Sequence, residues 1–131
     1  EDINEDEVGY ITLHIHSAMG EKVDEGMLAA VIVNESIQQI EQECGLSIDV
    51  NSLSYSRLLT HMKYLMARLR ENETLTLDME EYTKNAFPYS YQVAAHIIER
   101  LSRTLNREVP QIETGYLAMH IERVCQNERQ A

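Results

Sequence analysis

A chain of 131 residues with ordinary hydrophobic content, one phenylalanine, no tryptophan and sparse glycine and proline is long enough for one domain with a real core and too short for two. Its net charge of −11 repels phosphate backbones, which excludes direct RNA or DNA binding by this chain and suits a protein partner with a basic docking face. The longest apolar run, 27–33, falls far short of the about 20 residues that a membrane span needs, the acidic N-terminus lacks a signal-peptide pattern, and Cys44 and Cys125 have neither zinc-site nor redox-motif spacing. Two free thiols fit a reducing cytoplasm.

In chain order, Asn4 and Glu7 form a capping-box pattern ahead of Val8, Ile11, Leu13 and Ile15, so a first helix is expected up to Gly20. A second is expected over 24–44, with Leu28, Val31, Ile32, Ser36, Ile37 and Ile40 at helical spacing and Gly45 as its left-handed stop. Asn51 or Ser52 caps a third, whose stripe comprises Tyr55, Leu58, Leu59, Met62, Leu65, Met66 and Leu69. A polar break at 71–76 precedes a short helix over 78–86, and Pro88 opens another that runs to Asn106 with Tyr91, Ala94, Ala95, Ile98 and Leu101 inward. Pro110 fits the first turn of a final helix through Ile112, Leu117, Ile121 and Val124, after which 126–131 is expected to be disordered. The fold class is all-α, a compact bundle of about five helices preceded by one more.

That preceding helix is informative because its sequence recurs. Glu7, Gly9, Tyr10, His14 and Ile15 reappear at the same spacing as Glu113, Gly115, Tyr116, His120 and Ile121. Such a repeat implies that 1–19 is the last helix of a preceding module and 20–125 a complete second one, cut from a longer protein. A glycine inside a helix costs stability, so its recurrence needs a cause.

Three histidines fall in the complete module. His61 sits at the edge of an apolar stripe with Arg57 one turn before it, and His120 has Tyr116 one turn before it and Arg123 just after. A neutral imidazole is a nucleophile near pH 7, and arginine supplies the donors that an added phosphoryl group requires. Periodicity alone equally accommodates structural histidines in a plain interaction module. His96, followed by Glu99, reads as structural; His14 and His16 lie about 200° apart on a helix and make a poor chelate. Di-iron sites place glutamate three residues before an inward histidine, where this chain has Leu58, Val93 and Leu117, so neither a metal nor a cofactor is expected. Nor is there a glycine-rich phosphate loop or a catalytic triad motif, so the chain does not read as an enzyme.

The segment from Asn51 through Ser52, Tyr55, Arg57, Thr60 and His61 to Tyr64 resembles the first histidine motif of the phosphotransferase-system regulation domain, the PRD of BglG/LicT/SacY-type bacterial antiterminators. Gly115, Tyr116, His120, Ile121 and Arg123 resemble its second motif, and Phe87, Pro88 and Tyr91 stand where the family has a Tyr-Pro-x-x-Tyr turn. The resemblance covers roughly 20–125. It implies a cytoplasmic bacterial regulator with an N-terminal RNA-binding domain and two such modules that tend to homodimerise. The matching phosphorylation sites are His61 and His120, with Arg57, Arg123 and Tyr116 in support and His14 as the upstream module's counterpart. It further implies that the phosphocarrier HPr phosphorylates the second module, that a sugar permease (EII) controls the first, and that phosphorylation shifts the dimer and so the grip on an RNA hairpin. Related modules also occur in DNA-binding activators. His96 departs from the family, which more often has lysine there.

Overall fold

The structure is a computed structural model that describes residues 21–130, so the expected helix over 4–20 and His14 lie outside the described residues. Among the described residues there are five helices and no strand: α1 Glu21–Cys44, α2 Leu53–Glu71, α3 Glu80–Ala86, α4 Pro88–Leu105 and α5 Ile112–Gln130. The all-α reading holds. Among the described residues, 35–130 form one compact unit, and 21–34 belong to another.

Local chemistry sets the ends. Gly45 takes φ +67°, and Gly45 N and Leu46 N both donate to Glu41 O (2.9 and 3.2 Å), a left-handed stop for α1. Ser52 caps α2 by accepting from Tyr55 N at 3.1 Å, and Asn72 ends it at φ 58°. Pro88 starts α4, where a missing N–H costs nothing, and Asn106 ends it at φ 53°. Pro110 stands before α5 rather than in its first turn: its carbonyl accepts from Glu113 N at 3.0 Å, and the helix begins at Ile112.

Helix α5 is the centre of the bundle and packs against α2, α3 and α4. Leu117, Ala118, Ile121 and Val124 on α5 meet a core that includes Leu58, Met62 and Leu65 of α2 and Val93, Ile97 and Leu101 of α4, all at most 2% exposed. The buried face of α4 is Ser90, Val93, Ala94, Ile97, Ile98 and Leu101, which bears out Ala94, Ile98 and Leu101 and replaces the expected Tyr91 and Ala95 with Ser90, Val93 and Ile97. Ser90 can go inside because its hydroxyl donates to Glu122 at 2.7 Å, and Tyr91 stays at the rim because its hydroxyl donates to Glu80 at 2.7 Å.

A second correction concerns the tail. Residues 126–130 continue α5 instead of being disordered, held by Gln126 to Glu122 (2.8 Å), Arg129 to Glu122 (3.8 Å) and Glu128, which accepts from Asp49 N (2.5 Å). The charges that read as a solvated tail are partners for neighbouring groups.

Gly115 explains why the repeat keeps a glycine. A Cβ there would lie 2.8 Å from Glu80 Cα, Glu80 N and the Met79 carbonyl carbon, so hydrogen is the only side chain that lets α3 start against α5. Gly115→Ala should therefore destabilise the fold by about 1–3 kcal/mol despite the better helix propensity of alanine. Gly26, with nothing within 4 Å of its would-be Cβ, is the control: urea titrations of both variants should show Gly26→Ala neutral or stabilising.

Candidate functional site

His61 reaches the site from α2 because the stripe Leu58, Met62 and Leu65 turns that face toward α5, and His120 arrives on the facing side of α5 between buried Leu117 and Ile121. The rings stack with centroids 4.5 Å apart at 29°, and Tyr116 lies 5.8 Å from His61 at 42°. Ser56, Arg57, Thr60, Tyr64, Arg68 and Tyr116 complete, with the two histidines, the lining of a groove of about 310 Å³. Two imidazoles distant in the chain are thus neighbours.

Their exposure differs. His61 is 6% exposed, deeper than the stripe-edge position expected for it, whereas His120 is half-buried. Burial, then the neighbouring His120 and the Arg68 charge, push the His61 imidazole down to about 3. His120 is lowered by burial first, then by Arg123 and Arg57. Both rings are therefore neutral near pH 7, with a lone pair available on one nitrogen each. His61 Nε2 and His120 Nδ1 are buried without a hydrogen-bond partner among the described residues, an arrangement that costs on the order of 1–3 kcal/mol per group.

A pH dependence follows. The folded pKa of His61 lies below its ordinary 6.5, so the unfolded chain binds the proton first. The stabilising contribution is complete above about pH 6.5 and is lost as pH falls toward 3, with a slope of up to about 1.4 kcal/mol per pH unit. Urea midpoints at pH 7.5 and 5.5 should differ accordingly, and His61→Gln should shrink that difference even though it lowers stability at both pH values.

Among the expected supporting residues, Arg57 and Tyr116 line the groove. Arg123, exposed on α5 beyond His120, is not in the lining and acts on His120 through its charge. Arg68 was not anticipated. It stands two turns after His61, lines the groove and holds Glu113 with two bonds, Nε to Oε2 at 2.8 Å and Nη2 to Oε1 at 2.7 Å. Glu113, fully buried, is the glutamate of the recurring Glu-x-Gly-Tyr pattern, so the repeat itself held the signal. His96 lies outside the groove lining, with Nδ1 3.0 Å from Glu43. No group of three or more histidine, cysteine or acidic residues among the described residues could hold a metal, and no described helix is long and apolar enough to cross a membrane.

Residues 34–124 match the family model described as the PRD domain. The chain is 34% identical over 125 residues to the GlcA/glcB genes antiterminator of Staphylococcus carnosus (strain TM300), covering 93% of this chain and 44% of that protein. It is 30% identical over 124 residues to the PtsGHI operon antiterminator of Bacillus subtilis (strain 168), covering 92% and 44%. It is also 30% identical over 128 residues to Protein GlcT of Staphylococcus saprophyticus, covering 95% and 46%. The chain thus spans less than half the length of these curated relatives.

Proposed function

This chain belongs to the PRD domain family, and we propose that its groove is the phosphoryl-acceptor site of a sugar-operon antiterminator, loaded on His120 and His61 by the phosphocarrier HPr. One observation carries the reading: two neutral imidazoles stacked at 4.5 Å in a groove lined by Arg57, with unpartnered ring nitrogens. A structural pair would be hydrogen-bonded, as His96 is to Glu43.

In the transfer, an imidazole lone pair of the acceptor attacks the phosphorus carried by the donor's phosphohistidine. A new N–P bond forms as the old one breaks, and the donor histidine leaves with its electron pair. Such a transfer needs positioning and charge stabilisation more than covalent catalysis, so the domain acts as a substrate and not as an enzyme. His120 is the first acceptor, because its ring is only half-buried while His61 is almost fully covered. Each phosphoryl group adds close to two negative charges, which Arg57 and Arg123 offset.

The new charge biases association with a second copy, with a typical coupling of about 1–3 kcal/mol, and the dimer state is read by an RNA-binding domain elsewhere in the protein. The −11 charge fits a regulatory half that leaves RNA contact to another part. The setting is the bacterial cytoplasm, with a sugar permease (EII) as a second regulator.

Incubation with phosphoenolpyruvate, the first phosphotransferase enzyme and HPr tests this. Intact-mass measurement should show at least one added phosphoryl group, and analytical ultracentrifugation should show a changed dimer fraction. An unmodified mass after complete phosphorylation of HPr would remove the basis of the reading.

A further inference from the structure

Away from the groove, the last residue of α1 and a residue of α5 bring two thiols together: Cys44 and Cys125, 81 positions apart in the chain, have their sulfurs 3.2 Å apart. Both are free, Cys125 fully buried and Cys44 half-buried. Nothing in the groove chemistry uses them. Packed interiors do not require two cysteines to face each other, and a disulfide sulfur pair lies only about 1.2 Å closer than this. We infer that Cys44 and Cys125 form a peroxide-oxidisable dithiol site that closes to an intrachain disulfide.

The geometry assigns the roles. Cys44 is the sulfur that solvent reaches, so it meets the oxidant; Cys125, behind it, resolves the product. The Cys125 S–H donates to Cys44 Sγ, which holds the Cys44 thiol below its ordinary pKa and the Cys125 thiol above its own. Arg129 favours the thiolates, while burial and the Glu43 and Glu122 carboxylates oppose that of Cys44. With hydrogen peroxide as oxidant, the Cys44 thiolate attacks one oxygen, an S–O bond forms as O–O breaks, and the departing hydroxide takes up the proton that Cys44 gave up. The sulfur of Cys125 then attacks that of Cys44 as its own proton leaves, the S–S bond forms as S–O breaks, and a second water departs. Two thiols and one peroxide become one disulfide and two waters. Both thiols are already positioned by α1 and α5, so the two sulfurs have only about 1.2 Å left to close.

The product would tie the end of α1 to α5 a turn and a half beyond His120. Closing so long a loop should raise the thermal midpoint on the order of 10 °C.

The test treats the whole chain with hydrogen peroxide, unfolds it, alkylates with N-ethylmaleimide and measures intact mass and thermal melting. The expected wild-type product is a monomer with neither thiol alkylated, restored to two alkylated thiols by dithiothreitol, with a raised melting point. Cys44→Ser, which changes the half-exposed partner, should neither block Cys125 alkylation nor gain melting temperature on treatment. Two alkylatable thiols after treatment of the wild type, a disulfide only between chains, or blocking of Cys125 that persists in Cys44→Ser would each overturn the inference.

Discussion

Combined His61→Ala and His120→Ala substitution should abolish phosphoryl incorporation from HPr, while the single variants should divide unequally. His120→Ala should slow the initial rate on the order of 10²-fold, because the remaining ring at position 61 is 6% exposed and can meet an in-line donor only after its neighbour moves. His61→Ala should slow it far less, since it opens space behind a ring that is already reachable and removes a stacking partner rather than the acceptor. Time-resolved intact-mass measurement separates the three variants, with circular dichroism to confirm that each is folded. Incorporation that survives in the double variant, or equal rates in the two single variants, would contradict this order. The acceptors should stay competent at pH values below 6.5 where an ordinary histidine is already mostly protonated, because burial lowers both rings below the usual histidine range.

The second large effect concerns stability. Arg68→Ala should cost about 3–5 kcal/mol, because it leaves the fully buried Glu113 carboxylate without the fork that holds it at 2.7 and 2.8 Å. The paired change Arg68→Met with Glu113→Leu should recover most of that loss, since removing both charges removes the uncompensated one. Arg57→Ala, at an exposed position with no ion pair among the described residues, should stay within about 0.5 kcal/mol while still slowing phosphorylation. Urea titrations measure all three. A cost below about 1 kcal/mol for Arg68→Ala would mean that Glu113 finds water or another donor when its partner is gone.

Helices, their stops and most of the core were legible because they depend on neighbours in sequence. Gly45, Ser52 and Pro88 act within one turn of where they stand, and the leucines of α2 repeat at the helical period. The pairing of His61 with His120 was legible only through resemblance to the family motifs; spacing equally allowed structural histidines. Four features depend on partners far along the chain, and there periodicity failed. Ser90 goes inside because of Glu122, the end of α5 at 126–130 is tied down through Asp49, Arg68 belongs to the site because of Glu113, and the two thiols meet only once the end of α1 reaches α5. Gly115 was an intermediate case. Its recurrence announced a constraint, but that the constraint was the backbone of Glu80 required coordinates.

Helix α5 carries an ion-paired glutamate at its start, a backbone crossing one residue pair later, an imidazole in its middle and a packed sulfur toward its end. An element clamped at so many depths cannot absorb a new load by fraying locally. A dianion installed at its midpoint must shift the whole rod against its three neighbours or leave it standing, which is the behaviour of a latch with discrete positions rather than of a spring.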